Sequence, residues 1–131
     1  GIRDVAVTGV QTCALPIYDD QPLPFATRAG RLWSVPYPQE ANDIPMVVAR
    51  LMGAAEFADL LIGNYDEMIE QSRAQPLVMG IALHPYIVGQ PYRLRELRRA
   101  LKHIVDDGRA WITLPGAILD HVAGLGLYPP R

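Results

Sequence analysis

The chain has 131 residues, half of them apolar, with 20% charged residues and a formal net charge of −2. That bounds it to at most one ordinary globular domain and gives no electrostatic reason to expect nucleic acid or an anionic membrane as a partner. No apolar run approaches the roughly 20 residues needed to span a bilayer, and the single Cys13 excludes an internal disulfide.

Gly1 to Ile17 has neither a helical nor a strand period, and it lacks the basic start and apolar core of a signal peptide. A cytoplasmic location is therefore expected. Val7 to Ile17 (VTGVQTCALPI) resembles the in-frame translation of a common short-read sequencing adapter, and Gly1 to Asp4 (GIRD) resembles its flanking primer. Residues 1–17 are accordingly expected to be non-native and disordered. They are set aside from fold reasoning, and Cys13 goes with them. The native part is expected to begin at about Tyr18, in mid-protein.

Asp19, Asp20, Gln21 and Pro22 form a polar, turn-like cluster, and Pro22 and Pro24 forbid a continuing helix. Ala29-Gly30 marks a hairpin or tight turn. Leu32 to Pro36 (LWSVP) predicts a short strand. Tyr37 to Pro45 (YPQEANDIP) is a loop carrying Glu40, Asn42 and Asp43, and Ile44 to Leu51 predicts one or two helical turns. Ala54 to Arg73 is the first strong helix, with Phe57, Leu61, Tyr65 and Met68 recurring every three or four residues.

The apolar run Leu77 to Leu83 predicts a strand buried on both faces, ending at His84-Pro85. Pro91 to Val105 predicts a helix with Leu94, Leu97, Leu101 and Ile104 inward and Arg95, Arg98, Arg99 and Lys102 outward, stopped by Asp107-Gly108. Ala110 to Leu114 predicts another strand, Pro115 to Val122 a short helix, and 124–131 a flexible tail.

The alternation of strand and helix predicts an α/β fold with a parallel sheet and outer helices. In such folds ligands sit at the carboxyl ends of the strands. His84 is the titratable side chain at that end of the central run, and imidazole there suits acid–base work or metal binding. Glu40, Asn42 and Asp43, on the loop after the preceding strand, are candidates for binding substrate or orienting a catalytic group; Asp20 is a weaker one. For each a bland alternative exists: a satisfied histidine at a strand end, and turn-forming Asn42 and Asp43. His103 and His121 read as surface residues. No glycine-rich phosphate loop, no serine-nucleophile elbow and no His-Glu-x-x-His helix is present.

The segments DDQP, WSVPYPQEANDIP, AAEFADLLIGNYDEMIEQS, MGIALHPYIVGQPYRLRELRRAL and WITLPGAILDHV together resemble the C-terminal part of the polysaccharide deacetylase superfamily (the NodB-homology type), its allantoinase-like branch above all. The resemblance covers nearly all of residues 19–123 and is most specific in LHPYIVGQPYR. It implies an incomplete, distorted (β/α) barrel over residues 18–123 and a hydrolase of non-peptide C–N bonds, acting on a sugar amide or another small amide. It further implies that His84 is the general acid or orients the substrate amide. The family's late motif is Leu-x-His; here Leu83 directly precedes His84, after Ala82, so only His84 is carried across.

Some members hold a divalent metal such as zinc on one Asp and two His. The early Asp-Asp and His-x-x-x-His motifs are absent from this chain, so no cofactor is expected in it and the isolated chain is expected to be inactive. Two other readings stand beside this one. The first is a catalytically dead module binding a carbohydrate or small ligand; the second is a small α/β interaction protein without a site. An open sheet with bare strand edges would also associate with a second copy.

Overall fold

The computed structural model describes residues 20–28 and 30–126. Residues 1–17, where the adapter resemblance falls, and most of the expected tail lie outside the described residues. The chain divides into two compact units, Gly1–Tyr37 with Thr113–Arg131, and Pro38–Ile112.

In the first unit, β1 (Leu23–Thr27) and β2 (Gly30–Ser34) pair antiparallel, Leu23 opposite Ser34 and Thr27 opposite Gly30. Gly30 has φ +120°, a conformation glycine alone adopts readily. Thr27 Oγ1 donates to the Gly30 carbonyl at 2.7 Å and closes the turn. Pro24 is tolerated because a two-stranded ribbon leaves each strand an unpaired edge. The short helix expected near Pro115 is here, running Pro115–Gly124 (numbered α5 in chain order).

The second unit is helical. Its elements are a wide, π-type turn α1 (Ile44–Ala49), α2 (Ala54–Gln71), a single turn α3 (Pro85–Val88) and α4 (Pro91–Asp107). α2 starts where Glu56 Oε2 accepts the Gly53 N–H at 2.8 Å. It buries Phe57, Ala58, Leu61 and Tyr65, one stripe at helical spacing. α4 opens on Pro91, whose missing N–H is not needed in a first turn. It ends at Gly108, which takes the left-handed φ of +69°. α4 buries Leu97, Ala100 and Ile104, while Leu94 and Leu101 are only half-buried. Ala100, fully buried, is the small residue on the face that meets the core.

The expected parallel-stranded (β/α) barrel piece is therefore wrong: the sheet is a two-stranded antiparallel ribbon and the remainder is mostly helix. Leu77 to Leu83 forms no strand, and its one pairing is an isolated parallel bridge between Asn42 and Ala82. Ala110 to Leu114 also forms none; Trp111, Ile112 and Leu114 are 61%, 61% and 75% exposed. The reason is physical. Apolar alternation says where side chains go, whereas a strand exists only if a neighbour takes up its backbone hydrogen bonds. Met79, Ile81 and Leu83 do turn every second side chain onto the core, but that core is made of helices.

Polar contacts tie α2 to α4. Arg99 reaches the Asp59 carboxylate at 2.7 Å and the Ala55 carbonyl at 3.2 Å, and His103 meets Asp66 at 2.7 Å. The Tyr65 hydroxyl donates to Asp107 Oδ2 at 2.6 Å. Burial, and then this bond, push the Tyr65 hydroxyl from its ordinary 10 up to about 12. The folded chain thus keeps a proton that the unfolded chain releases between those values. This part of the stability is complete below pH 10 and declines as pH rises toward about 12. Tyr65→Phe is expected to lose about 1 kcal/mol at neutral pH, since Arg109 still neutralises Asp107. It should also flatten the alkaline fall in stability, read from denaturant midpoints along a pH series.

Candidate functional site

The isolated bridge does structural work out of proportion to its length. The Ala82 N–H donates to the Ala41 carbonyl at 2.9 Å, and the Asp43 N–H donates to the Ala82 carbonyl at 3.2 Å. These two bonds set Ala41–Asp43 beside Ala82–His84. Asn42 then turns the chain: its Oδ1 accepts the Ile44 N–H at 3.1 Å and its Nδ2 donates to the Pro38 carbonyl at 3.5 Å. Asx-type bonding of this kind serves the first turn of α1, where Pro45 has no N–H to offer.

Asp43 follows and is fully buried, at 0% exposure. Its Oδ2 accepts the His84 backbone N–H at 2.7 Å, and its Oδ1 lies 2.6 Å from His84 Nδ1. One carboxylate thus grips one histidine at two points, which fixes both the ring's position and its rotation. A carboxylate only accepts hydrogen bonds, so the Nδ1 proton belongs to the histidine and Nε2 is the nitrogen left for chemistry. The His84 side chain is about a third exposed, at 32%, so a small molecule can reach it. Beyond His84, Pro85 opens α3, and the His84 carbonyl accepts the Ile87 and Val88 N–H groups at 2.9 and 3.1 Å. Ile87 and Val88 are buried, which anchors the turn. Tyr86 faces outward, its ring centroid 5.7 Å from that of His84.

Of the residues singled out by sequence, Asp43 and His84 meet. Asn42 acts on the backbone, Glu40 is exposed, and Asp20 belongs to the other compact unit. His103 is exposed and pairs with Asp66. Tyr86 escaped the sequence reading because it falls between the run that ends at His84-Pro85 and the helix that starts at Pro91; the signal available was an aromatic residue two places from the histidine. Among the described residues no three His, Cys, Asp or Glu side chains group as a metal set. Asp43 and His84 are two potential metal ligands, and no third joins them among the described residues, short of the one Asp and two His that the resemblance implies.

No family model matches the chain. It is 30% identical over 105 residues to a protein of Schizosaccharomyces pombe named "putative polysaccharide deacetylase", an alignment covering 72% of this chain and 33% of that protein. The chain thus spans about a third of the length of the curated relative it matches. This is a distant similarity that reaches the superfamily and no finer. It does not separate the allantoinase-like branch from others, and it lends no support to the expected inactivity. No helix among the described residues is long and apolar enough to cross a membrane.

Proposed function

We propose that this chain carries the acid–base part of a polysaccharide deacetylase-like amide hydrolase, with His84 as the proton-transferring group and Asp43 as the residue that positions it. Amide hydrolysis adds water across the C–N bond. The water oxygen joins the carbonyl carbon, the C–N bond breaks, and the departing nitrogen takes a proton, giving a carboxylic acid and an amine. His84 Nε2, which carries no proton at rest, takes one from the attacking water as its oxygen bonds to the carbonyl carbon and passes it to the departing nitrogen. Asp43 holds Nδ1 so that the ring cannot rotate or exchange tautomers during the transfer. The observation that carries the reading is the two-point Asp43–His84 contact at 2.7 and 2.6 Å on a partly exposed ring. The distant likeness to a polysaccharide deacetylase supports the choice of amide hydrolysis among the reactions such a pair can serve.

The test is release of acetate from N-acetylated chito-oligosaccharides by the purified chain. His84→Asn is expected to lower the rate by roughly 100-fold or more, the usual worth of a general acid, while leaving the unfolding midpoint in place. Equal rates for His84→Asn and the unaltered chain would sink the reading. Oligosaccharide binding with no acetate release would instead favour a non-catalytic binding module.

A further inference from the structure

Arg93 stands where helix electrostatics disfavour it. It is the third residue of α4, whose first turn carries no acidic side chain, and a cation there opposes the positive end of the helix. Its compensation lies outside α4. The half-buried side chain reaches back past Gly89-Gln90-Pro91, and its Nη1 donates to the Ile87 carbonyl at 3.2 Å. The guanidinium also lies over the Tyr92 ring, 5.2 Å from its centroid, which holds it in that orientation.

Ile87 belongs to α3, and its carbonyl is among those that a helix end leaves without a partner inside the helix. A single turn is too short to hold itself in water. The start of α3 is tied to the His84 carbonyl, which accepts the Ile87 and Val88 N–H groups. Arg93 adds a fixed point at the other end, from a helix that is itself anchored through Leu97, Ala100 and Ile104. His84 is thus held from both sides: Asp43 takes its N–H and Nδ1, and the α3 turn takes its carbonyl. A ring gripped at Nδ1 still tilts if the backbone under it drifts, and Nε2, across the ring, is displaced.

We propose that Arg93 is a positioning residue for His84, bracing the C-terminal end of the α3 turn so that Nε2 keeps its direction. This rests on the reading of His84 as the proton-transferring group. It adds a residue that the chemistry needs without touching the reacting atoms.

The experiment compares the full chain with Arg93→Ala, Arg93→Lys and Arg98→Ala, the last removing an exposed charge from the same helix. The readouts are the NMR signals of the Ile87 carbonyl carbon and the His84 ring, and acetate release from N-acetylated chitotriose. Arg93→Ala is expected to shift the Ile87 and His84 signals together. Its unfolding midpoint should change little, because the lost bond is offset by removing a cation from the start of α4. It should lower kcat roughly tenfold and keep KM within about twofold, a split that a merely weakened fold would not produce. Arg93→Lys keeps a charged donor and should return kcat to within about threefold of the parent. Arg98→Ala should move neither the signals nor the rate.

Unmoved His84 signals in Arg93→Ala overturn the brace, as does an equal effect from Arg98→Ala. If Arg93→Ala does not fold, Tyr92→Ala decides, since Tyr92 is an exposed residue. Ile87 and His84 signals that move together in that variant support the brace, and unmoved ones overturn it. The two readings fail separately. Coupled Ile87 and His84 shifts in a chain that releases no acetate leave the brace and remove the hydrolase. Acetate release untouched by Arg93→Ala removes the brace and leaves the hydrolase.

Discussion

Asp43→Ala is expected to cost about 3 kcal/mol of stability, and Asp43→Asn less, with a different signature. The alanine variant removes both acceptors of His84 at once and opens a cavity at a position with 0% exposure. Left behind are a backbone N–H and a ring nitrogen whose former partner lay in the interior; each such orphan costs about 1–3 kcal/mol. Water entering the cavity would recover part of that, which keeps the estimate from doubling.

The asparagine variant fills the same volume but offers one acceptor and one donor group. If its oxygen keeps the His84 N–H, its NH₂ faces Nδ1, and the ring must turn Nδ1 into an acceptor by moving its proton to Nε2. The expected readout is therefore an inverted tautomer in the ¹⁵N spectrum of His84, with a stability loss of about 1–2 kcal/mol. An unchanged tautomer in Asp43→Asn, or an alanine variant as stable as the parent, would show that Asp43 does not grip the ring. For the proposed hydrolysis the asparagine change is the sharper probe. It keeps the fold while placing the ring in the wrong protonation pattern, a change that costs about four orders of magnitude where a Ser–His–Asp triad suffers it.

The helices of this chain were legible because their hydrogen bonds are local. Phe57, Leu61 and Tyr65 mark one face of α2, and Pro91 and Gly108 bracket α4. A reader needs only the spacing and the caps to place them within a residue or two. Strands are different, since their bonds go to residues elsewhere in the chain. Leu77 to Leu83 has the composition of a buried strand, yet its apolar side chains cover a helical core and its backbone pairs at one bridge. Conversely, Leu23–Thr27 contains Pro24 and did not read as a strand, but a hairpin turn at Gly30 supplied the partner.

The site divides along the same line. His84 stood out by itself, at the end of an apolar run and before a proline. Which acidic neighbour reaches it depends on the register of the bridge Asn42–Ala82 and could not be read from Glu40, Asn42 and Asp43 as a string. A register shifted by one residue would turn Asp43 away from His84 and present another side chain.

The second large effect is expected at Gly89, where α3 ends. Its backbone is ordinary, φ −73° and ψ −7°, so conformational freedom is not why glycine is there. A Cβ at this position would run into the Pro85 carbonyl oxygen and stand 3.3 Å from the Pro85 carbonyl carbon. Both are backbone atoms, fixed by the proline ring on one side and by the Gly89 N–H bond to that same oxygen, 2.9 Å, on the other. No flexible side-chain end can move aside. In an unobstructed site Gly→Ala would stabilise by about 0.4–1 kcal/mol through the unfolded chain. Here overpacking of about 1–3 kcal/mol opposes it. The contact is far inside any real carbon–oxygen approach, so the upper end applies and a net loss of about 2 kcal/mol is expected.

The consequence for the site is more informative than the loss itself. α3 opens its turn with bonds to the His84 carbonyl and carries Tyr86. Unwinding Pro85–Gly89 should therefore shift the His84 and Tyr86 resonances together while leaving those of Tyr65, on the α2–α4 face, in place. Gly89→Ala with unchanged stability would mean that α3 tolerates a side chain and does not brace the histidine. A stability loss with unmoved His84 signals would mean that Asp43 holds the ring by itself, and that the α3 turn positions only Tyr86.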